Sequence, residues 1–252
     1  MARLRLRPAL GLVLFAGCVV VGVAGVLRGR SGAVAWTRGM IGSQMAVTGL
    51  LGVALELALI YAFQSLYGYI YTRIGLMVGL FMLGSVLGSV LGGRWERTPV
   101  RGAVRGAVAM HAVLVGVAAG VAVGVRLAGA VAVPIVLTLI EAWLYLGMLG
   151  AGVAVGALFC VTNRLFRSTG RPTGAAAAVL AFADYGGSAA GGLLVGIGLL
   201  PVLGVGATGL LLAALGITGL LCLGAAALSS GGFSGPGTGP RQIIEKDWRP
   251  AR

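Results

Sequence analysis

Long apolar segments constrain the fold of this chain more than any other feature. A helix needs about 20 apolar residues to cross the roughly 30 Å hydrocarbon layer of a bilayer. Such segments are helical because every backbone polar group in lipid must find a partner within the protein. Seven segments qualify, at about 9–27, 40–63, 74–93, 103–125, 131–162, 173–199 and 202–228. We therefore predict an all-α integral membrane protein, with a polytopic bundle of about seven transmembrane helices over residues 1–228.

Composition supports this class. Charged residues make up 10% of the chain and hydrophobic residues 58%, whereas soluble domains average about 25% charged residues. The 46 glycines lie within runs of Leu, Val and Ala, a pattern typical of closely packed membrane helices. The sequence leaves no room for a soluble catalytic domain, so we expect the chain alone not to be an enzyme.

The first apolar segment has two interpretations. Three arginines precede it, as in a signal peptide, and residues 15–18 loosely resemble a lipoprotein cleavage site. However, the apolar run continues to Val26, which favours a first helix that is retained.

Two later boundaries also need interpretation. The segment 131–162 is too long for one straight crossing, so we expect it to tilt, to kink near residues 147–152 or to extend beyond the bilayer. Leu200 and Pro201 predict a turn in which the proline opens the last helix.

The C-terminal residues 229–252 differ from the rest of the chain. A linker of Gly, Ser and Pro over 229–240 is followed by a polar, basic tail. Such a linker lets a tail reach a partner. The apolar side chains in the tail, Ile243, Ile244 and Trp248, are therefore candidates for docking.

The net charge of +13 predicts contact with lipid phosphates rather than with nucleic acid. The arginines lie at the ends of apolar segments, and no basic stripe interleaved with aromatic residues is present. Connections 28–39, 94–105 and 163–172, together with the tail, hold 14 of the 19 Lys and Arg residues. The positive-inside rule then places the tail on the cytoplasmic side of a cell membrane, such as the bacterial inner membrane, and the N-terminus on the outer side. The N-terminal arginines oppose that orientation.

Three acidic residues, Glu56, Glu141 and Asp184, lie within the predicted spans. A charged side chain in the bilayer costs a few kcal/mol, so such residues face the interior of a bundle. One interpretation is a site for a proton, a cation or an amine between helices. The other is a structural acid, protonated or bonded to a neighbouring helix. The sequence leaves both open.

Glycines repeat every fourth residue in two spans. Gly84, Gly88 and Gly92 form one row, and a later span holds two pairs, Gly187 with Gly191 and Gly192 with Gly196. Rows of this kind let a neighbouring helix approach closely. The pattern predicts tight helix packing, either within the chain or with another subunit.

Other potential binding residues have simpler explanations. His111 is the only histidine, and the cysteines at 18, 160 and 222 have no metal-ligand spacing, so we expect them to be buried and predict neither a metal site nor a cofactor. The motif at 204–209 matches G-x-G-x-x-G, but no strand precedes it, so we attribute the match to chance.

Two stretches suggest a family. The first runs from Glu56 to Gly75, and the second is Ala183-Asp184-Tyr-Gly-Gly-Ser-Ala-Ala-Gly191 followed by Leu-Pro-Val-Leu-Gly at 200–204. Over about residues 40–228 the chain resembles the transmembrane half of membrane-bound spermidine synthase-like proteins, also described as fused transporter-like/spermidine synthase proteins.

The resemblance implies a bundle related to half of a major facilitator. It also implies that five residues occupy recurrent positions of the family: Glu56, Gln64, Tyr67, Gly68 and Asp184. The aminopropyltransferase domain of the family has no counterpart in this sequence.

Three functions are consistent with these patterns. The sequence favours a non-catalytic membrane subunit that anchors or scaffolds partner proteins, with partner membrane subunits or a second copy of the chain. The alternative is a transporter, or half-transporter, for a cation or an organic amine such as a polyamine. A third hypothesis is the membrane component of a spermidine synthase-like enzyme whose catalytic groups lie on another chain. Transporters often contain broken helices at matched positions of two repeats, and the sequence shows no convincing repeat.

Overall fold

The computed structural model describes residues 34–68, 71–95, 98–130 and 133–228 in full, and residues 2–33 by their helical backbone. Helices account for nearly all of these residues, and none of them forms a strand. The helices are α1 (Ala2–Tyr67), α2 (Tyr71–Arg94), α3 (Val100–Ala130), α4 (Pro134–Arg167), α5 (Thr173–Leu193), a π-helical segment (Leu194–Leu199), α6 (Leu200–Leu203) and α7 (Val205–Leu228).

Six helical stretches in the fully described residues are long and apolar enough to cross a bilayer. They are Val34–Tyr67, Tyr71–Arg94, Val100–Ala130, Pro134–Arg167, Thr173–Leu203 and Val205–Ala227. The all-α class is thus confirmed. The predicted number of seven is one higher than this count, because the predicted span 9–27 lies outside the residues described in full. The long segment predicted at 131–162 forms one α-helix of 34 residues that continues through 147–152.

Two predicted interruptions are wrong. The connection expected at 28–39 is helical and belongs to α1. Its glycines are separated from one another and no proline follows until Pro99, so nothing in the sequence forces a break. The turn expected at Leu200-Pro201 lies instead at Gly204, where φ is +76°. Glycine adopts this conformation without a steric penalty, whereas Pro201 fits the first turn of α6.

Helix α1 occupies the centre of the bundle. It packs against α3, α4, α5 and α7, while α2 packs chiefly against α4. The side chains of α1 that face these neighbours include Met40, Leu51, Leu55 and Phe63, all buried. Burial of this extent is possible because the surrounding helices cover α1 on most sides, so its fully described part is largely shielded from lipid.

Arginines mark one end of the bundle. Arg38 in α1 donates hydrogen bonds to the hydroxyl of Thr169 (2.9 Å) and to its carbonyl oxygen (2.6 Å). Arg164 in α4 donates to the carbonyl oxygens of Trp95 and Thr98 in the α2–α3 connection. These bonds join separate chain segments at what we call the arginine-rich end. It holds Arg38, Arg94, Arg101, Arg105, Arg164, Arg167 and Arg171.

Helices α2 and α4 run parallel and meet through glycines on both sides. Cβ atoms added at Gly84 and Gly88 would overlap the carbonyl oxygens of Leu149 and Val153. In return, Gly156 lies against the carbonyl oxygen of Ser85. Any side chain larger than hydrogen would therefore push the backbones apart. The first glycine row packs against another helix of the same chain.

We predict that Gly88→Ala destabilises the bundle and that Gly79→Ala does not. At Gly88 the added methyl meets the Val153 backbone, and overpacking of this kind costs about 1–3 kcal/mol. Gly79 lies on the same helix with open space around it, so alanine there gains helix propensity of up to about 1 kcal/mol. Unfolding of the full chain by SDS titration in detergent micelles measures both. Equal stabilities for the two variants would contradict the observed packing of α2 on α4.

Candidate functional site

The contact between α1 and α5 contains a carboxylate oxygen without a partner. Asp184 lies on α5 beside Gly49, near the middle of both spans, and a Cβ atom at Gly49 would overlap the Asp184 carbonyl. Oδ1 of Asp184 is buried and accepts no hydrogen bond from the described residues. One turn further along α5, the hydroxyl of Ser188 donates to the carbonyl oxygen of Gly49 (3.2 Å). The site therefore combines a free carboxylate oxygen with an adjacent hydroxyl.

Glycines set the position of Asp184. Gly187 packs against the carbonyl of Ala46, and a Cβ atom added at Gly191 would lie 2.5 Å from the carbonyl oxygen of Leu50. The numbers rise together on both helices, so α1 and α5 run in the same direction. Because the two backbones nearly touch, the short Asp184 side chain cannot extend past α1 to the opposite side of the bundle.

Glu56 lies on the same side of α1 as Gly49. The two are seven residues apart, which corresponds to two turns and about 10 Å along the helix. Glu56 is half-buried and has no hydrogen-bond or ion-pair partner in the part of the chain described in full.

The neighbouring helix changes its geometry at this level. Gly192 and Gly196 flank the start of the π-helical segment Leu194–Leu199 and face Val53 and Leu57, which precede and follow Glu56 on α1. Short π-helical segments are frequent at functional sites. The α1–α5 contact thus contains Asp184 and an irregular turn, and Glu56 lies two turns from Gly49 on the same side of α1. We call the set of Asp184, Ser188, Gly49 and Glu56 the α1–α5 acidic site.

A buried polar network lies on the adjoining face of α1. The hydroxyl of Thr162 in α4 donates to Oε1 of Gln44 (3.1 Å), and Nε2 of Gln44 donates to the hydroxyl of Thr48 (2.9 Å). Thr48 in turn donates to the carbonyl of Gln44 (3.0 Å). All three residues are fully buried. The sequence did not predict this network, because single uncharged polar residues are common in apolar spans and do not by themselves indicate a contact. The one available signal was the spacing of Gln44 and Thr48, which lie four residues apart and therefore on one face of α1.

Glu141 is separate from the other two acids. It forms an ion pair with Arg73 at the start of α2, at the end of the bundle opposite the arginine-rich end. The hydroxyl of Tyr145 donates to the same carboxylate (3.3 Å). Glu141 therefore fits the interpretation of a structural acid bonded to a neighbouring helix, although the sequence did not identify Arg73 as its partner.

Three of the residues singled out by the resemblance, Gln64, Tyr67 and Gly68, lie at the C-terminal end of α1, close to the Arg73–Glu141 pair. The backbone N–H of Gly68 donates to the carbonyl of Gln64 (3.0 Å), and Gly68 has φ +82°. The hydroxyl of Tyr67 donates to the carbonyl of Leu137 in α4, and its ring packs 5.0 Å from that of Phe63. These residues fix where α1 stops and how it meets α4.

The other candidate residues from the sequence do not form a binding site among the described residues. His111 is fully buried, with its ring against Gly219 of α7, while Cys222 is buried and Cys160 only half-buried. No group of three or more His, Cys, Asp or Glu among the described residues is arranged to hold a metal ion. The G-x-G-x-x-G match starts α7 after the Gly204 turn. The docking candidates Ile243, Ile244 and Trp248 lie outside the described residues.

Comparisons with protein-family models, with curated proteins and with solved structures find no match for this chain. Its function must therefore be inferred from the α1–α5 acidic site and from the chemistry of its residues.

We predict that the Arg73–Glu141 pair contributes measurable coupling to stability. The two side chains are 43% and 23% exposed, so each single change, Arg73→Gln or Glu141→Gln, leaves a partly desolvated charge unpaired. The double variant should be more stable than the sum of the single effects implies, by about 0.5–3 kcal/mol. A double-mutant cycle of unfolding free energies measures the coupling, and strictly additive effects would show that the pair is not formed.

Proposed function

We propose that this chain is a non-enzymatic transport component of a cell membrane, which binds and passes a cation or an organic amine. The principal binding role belongs to Asp184. The observation that supports it is the buried Oδ1 of Asp184, which lies near the middle of the bundle without a partner among the described residues.

Energetics favour a mobile counter-ion. A carboxylate in the middle of a membrane helix costs roughly 2.5–3.5 kcal/mol on insertion scales. Arg73 offsets this cost for Glu141, and no described residue does so for Asp184. A proton, a metal cation or a primary ammonium group would complete the Asp184 site. The hydroxyl of Ser188 and the carbonyl of Gly49 next to it are further oxygen ligands for such a cation.

Glu56 gives the cation a second position. It lies about 10 Å along α1 from Gly49, towards the end of the bundle opposite the arginine-rich end. A π-helical segment lies beside it within the same span as Asp184, and short π-helical segments are frequent at functional sites. For a cation bound at Asp184, Glu56 would be the next carboxylate on the same side of α1.

The resemblance and the arginines support one arrangement in the membrane. Similarity to half of a major facilitator suggests that two such bundles pair, with this chain as one half. The arginine-rich end would face the cytoplasm, since seven of the nine arginines described in full lie there and the other two, Arg73 and Arg126, lie at the opposite end.

A scaffold that binds partner subunits is the second candidate. Helix α2 has a face turned away from the chain, where Gly75 and Gly79 have open space around them. Exposed Met82, Val86 and Val90 continue this row. Glycines four residues apart are typical of helix–helix contacts in membranes, so this face suits a helix of another subunit.

Flux measurements in liposomes test the transport proposal. The purified chain should take up a radiolabelled diamine or move protons, read by an entrapped pH dye. We expect Asp184→Asn to lower the flux at least about tenfold and Glu56→Gln to lower it less. The matched control is Glu245→Gln, which removes an acid from the C-terminal tail and should leave the flux unchanged.

A folding readout separates a binding role from a structural one. Asp184→Asn removes an unpaired charge, so the variant should unfold at the same or a higher SDS concentration than the parent. Unchanged flux in a stable Asp184→Asn variant would contradict the proposal. A stable protein without flux that co-purifies with stoichiometric partner subunits would instead favour the scaffold.

A further inference from the structure

An apolar groove opens between α3 and α4, away from the α1–α5 acidic site. Its volume is about 300 Å³, at the lower limit of the ~300–1,000 Å³ range typical of ligand pockets. The lining includes Gly120, Gly124, Leu127, Leu139, Ile140 and Trp143. Among these, Leu127 and Leu139 are about half or more exposed, so the groove opens on the outer surface of the bundle.

The groove exists because glycine and tryptophan face each other across it. The indole ring of Trp143 lies against Gly120, where a Cβ atom would overlap it. One turn further along α3, Gly124 has nothing within 4 Å. Trp143 therefore closes the groove at Gly120, and the absence of a side chain at Gly124 leaves the next turn of the groove open. In a bilayer, a chain of methylene groups is the natural occupant of an apolar groove that opens on the outer surface of the bundle.

A cationic residue neighbours the groove lining in the sequence of α3. Arg126 is exposed on α3 and directly precedes the lining residue Leu127. Its guanidinium forms no hydrogen bond or ion pair with the fully described residues. The other described arginine at this end, Arg73, is neutralised by Glu141. Among the described residues, Arg126 is thus the arginine at this end that is available to an anion, and arginine binds phosphate through two parallel N–H groups.

We propose that this groove binds one anionic phospholipid, with an acyl chain between α3 and α4 and the phosphate on Arg126. The charge of Arg126 selects the headgroup, and the apolar lining selects the chain. The lipid site does not depend on cation transport, since the groove shares no residue with the α1–α5 acidic site.

Two glycines on α3 provide a matched pair of variants. Gly124→Phe fills the groove, whereas Gly116→Phe places the same side chain on α3 at an exposed position outside it. Both glycines have open space around them, so neither change forces the backbones apart. Leu139→Trp obstructs the groove from α4 and replaces Gly124→Phe if that variant fails to fold.

Native mass spectrometry of the full chain from nanodiscs of phosphatidylglycerol and phosphatidylcholine tests the site. We expect one phosphatidylglycerol to remain bound to the parent and to Gly116→Phe, and retention to fall at least about fivefold in Gly124→Phe or Leu139→Trp. Arg126→Gln should keep a bound lipid and lose the preference for phosphatidylglycerol. Equal retention in Gly124→Phe and Gly116→Phe would overturn the proposal. So would an unchanged headgroup preference in Arg126→Gln, or a dimer of the parent chain that dissociates when the groove is filled.

Discussion

Close approach of helix backbones at glycine is the constraint on which this bundle depends. The hydrophobic effect does not drive helices together in lipid, because lipid tails are as apolar as the side chains. Close packing and interhelical hydrogen bonds must therefore hold the helices together. Gly88 and Gly156 let α2 and α4 touch at carbonyl oxygens, and Gly187 does the same for α5 and α1. The same approach places Asp184 directly against Gly49. Packing and the proposed binding site are therefore consequences of one feature.

The polar groups of the bundle divide into satisfied and unsatisfied sets. Glu141 has Arg73 and Tyr145, and Gln44 has Thr48 and Thr162. These groups hold α1, α2 and α4 together, since breaking any of them would leave a polar atom unpaired in a medium of low dielectric constant. Oδ1 of Asp184 has no such partner in the described chain; Oδ1 of Asn163 also lacks one, but Asp184 is the carboxylate among these buried atoms. That contrast is the reason for assigning it a mobile ligand rather than a structural role.

Periodicity and length in the sequence predicted the helical class and the approximate positions of the spans in the described part of the chain. The row Gly84, Gly88 and Gly92 predicted a close helix contact, and the structure places that contact on α4. The glycine spacing alone did not identify which helix makes the contact, because any helix with small residues could pack against this row. Similarly, the Arg73–Glu141 pair joins residues 68 positions apart, and hydropathy contains no information about such pairs.

Other features depend on tertiary context. Nothing in the run from 173 to 203 distinguishes a π-helical turn from regular α-helix, because both place apolar side chains against α1. The continuity of α1 through 28–39 was missed because arginines and glycines are common both in loops and in helices that extend beyond a bilayer. The sequence also left open which acids have partners: Glu141 pairs with Arg73, whereas Asp184 lies against Gly49 of α1 without one among the described residues.

Chemical labelling of Asp184 tests most directly whether it is an accessible binding carboxylate. The full chain in proteoliposomes is treated with dicyclohexylcarbodiimide, which modifies carboxyl groups in apolar surroundings, and the labelled residues are identified by mass spectrometry. We predict that Asp184 is modified and that a diamine or Na⁺ slows the modification in proportion to its concentration, while labelling of Glu141 is insensitive to either. Modification of Asp184 at the same rate with and without both cations would contradict its role as a cation site.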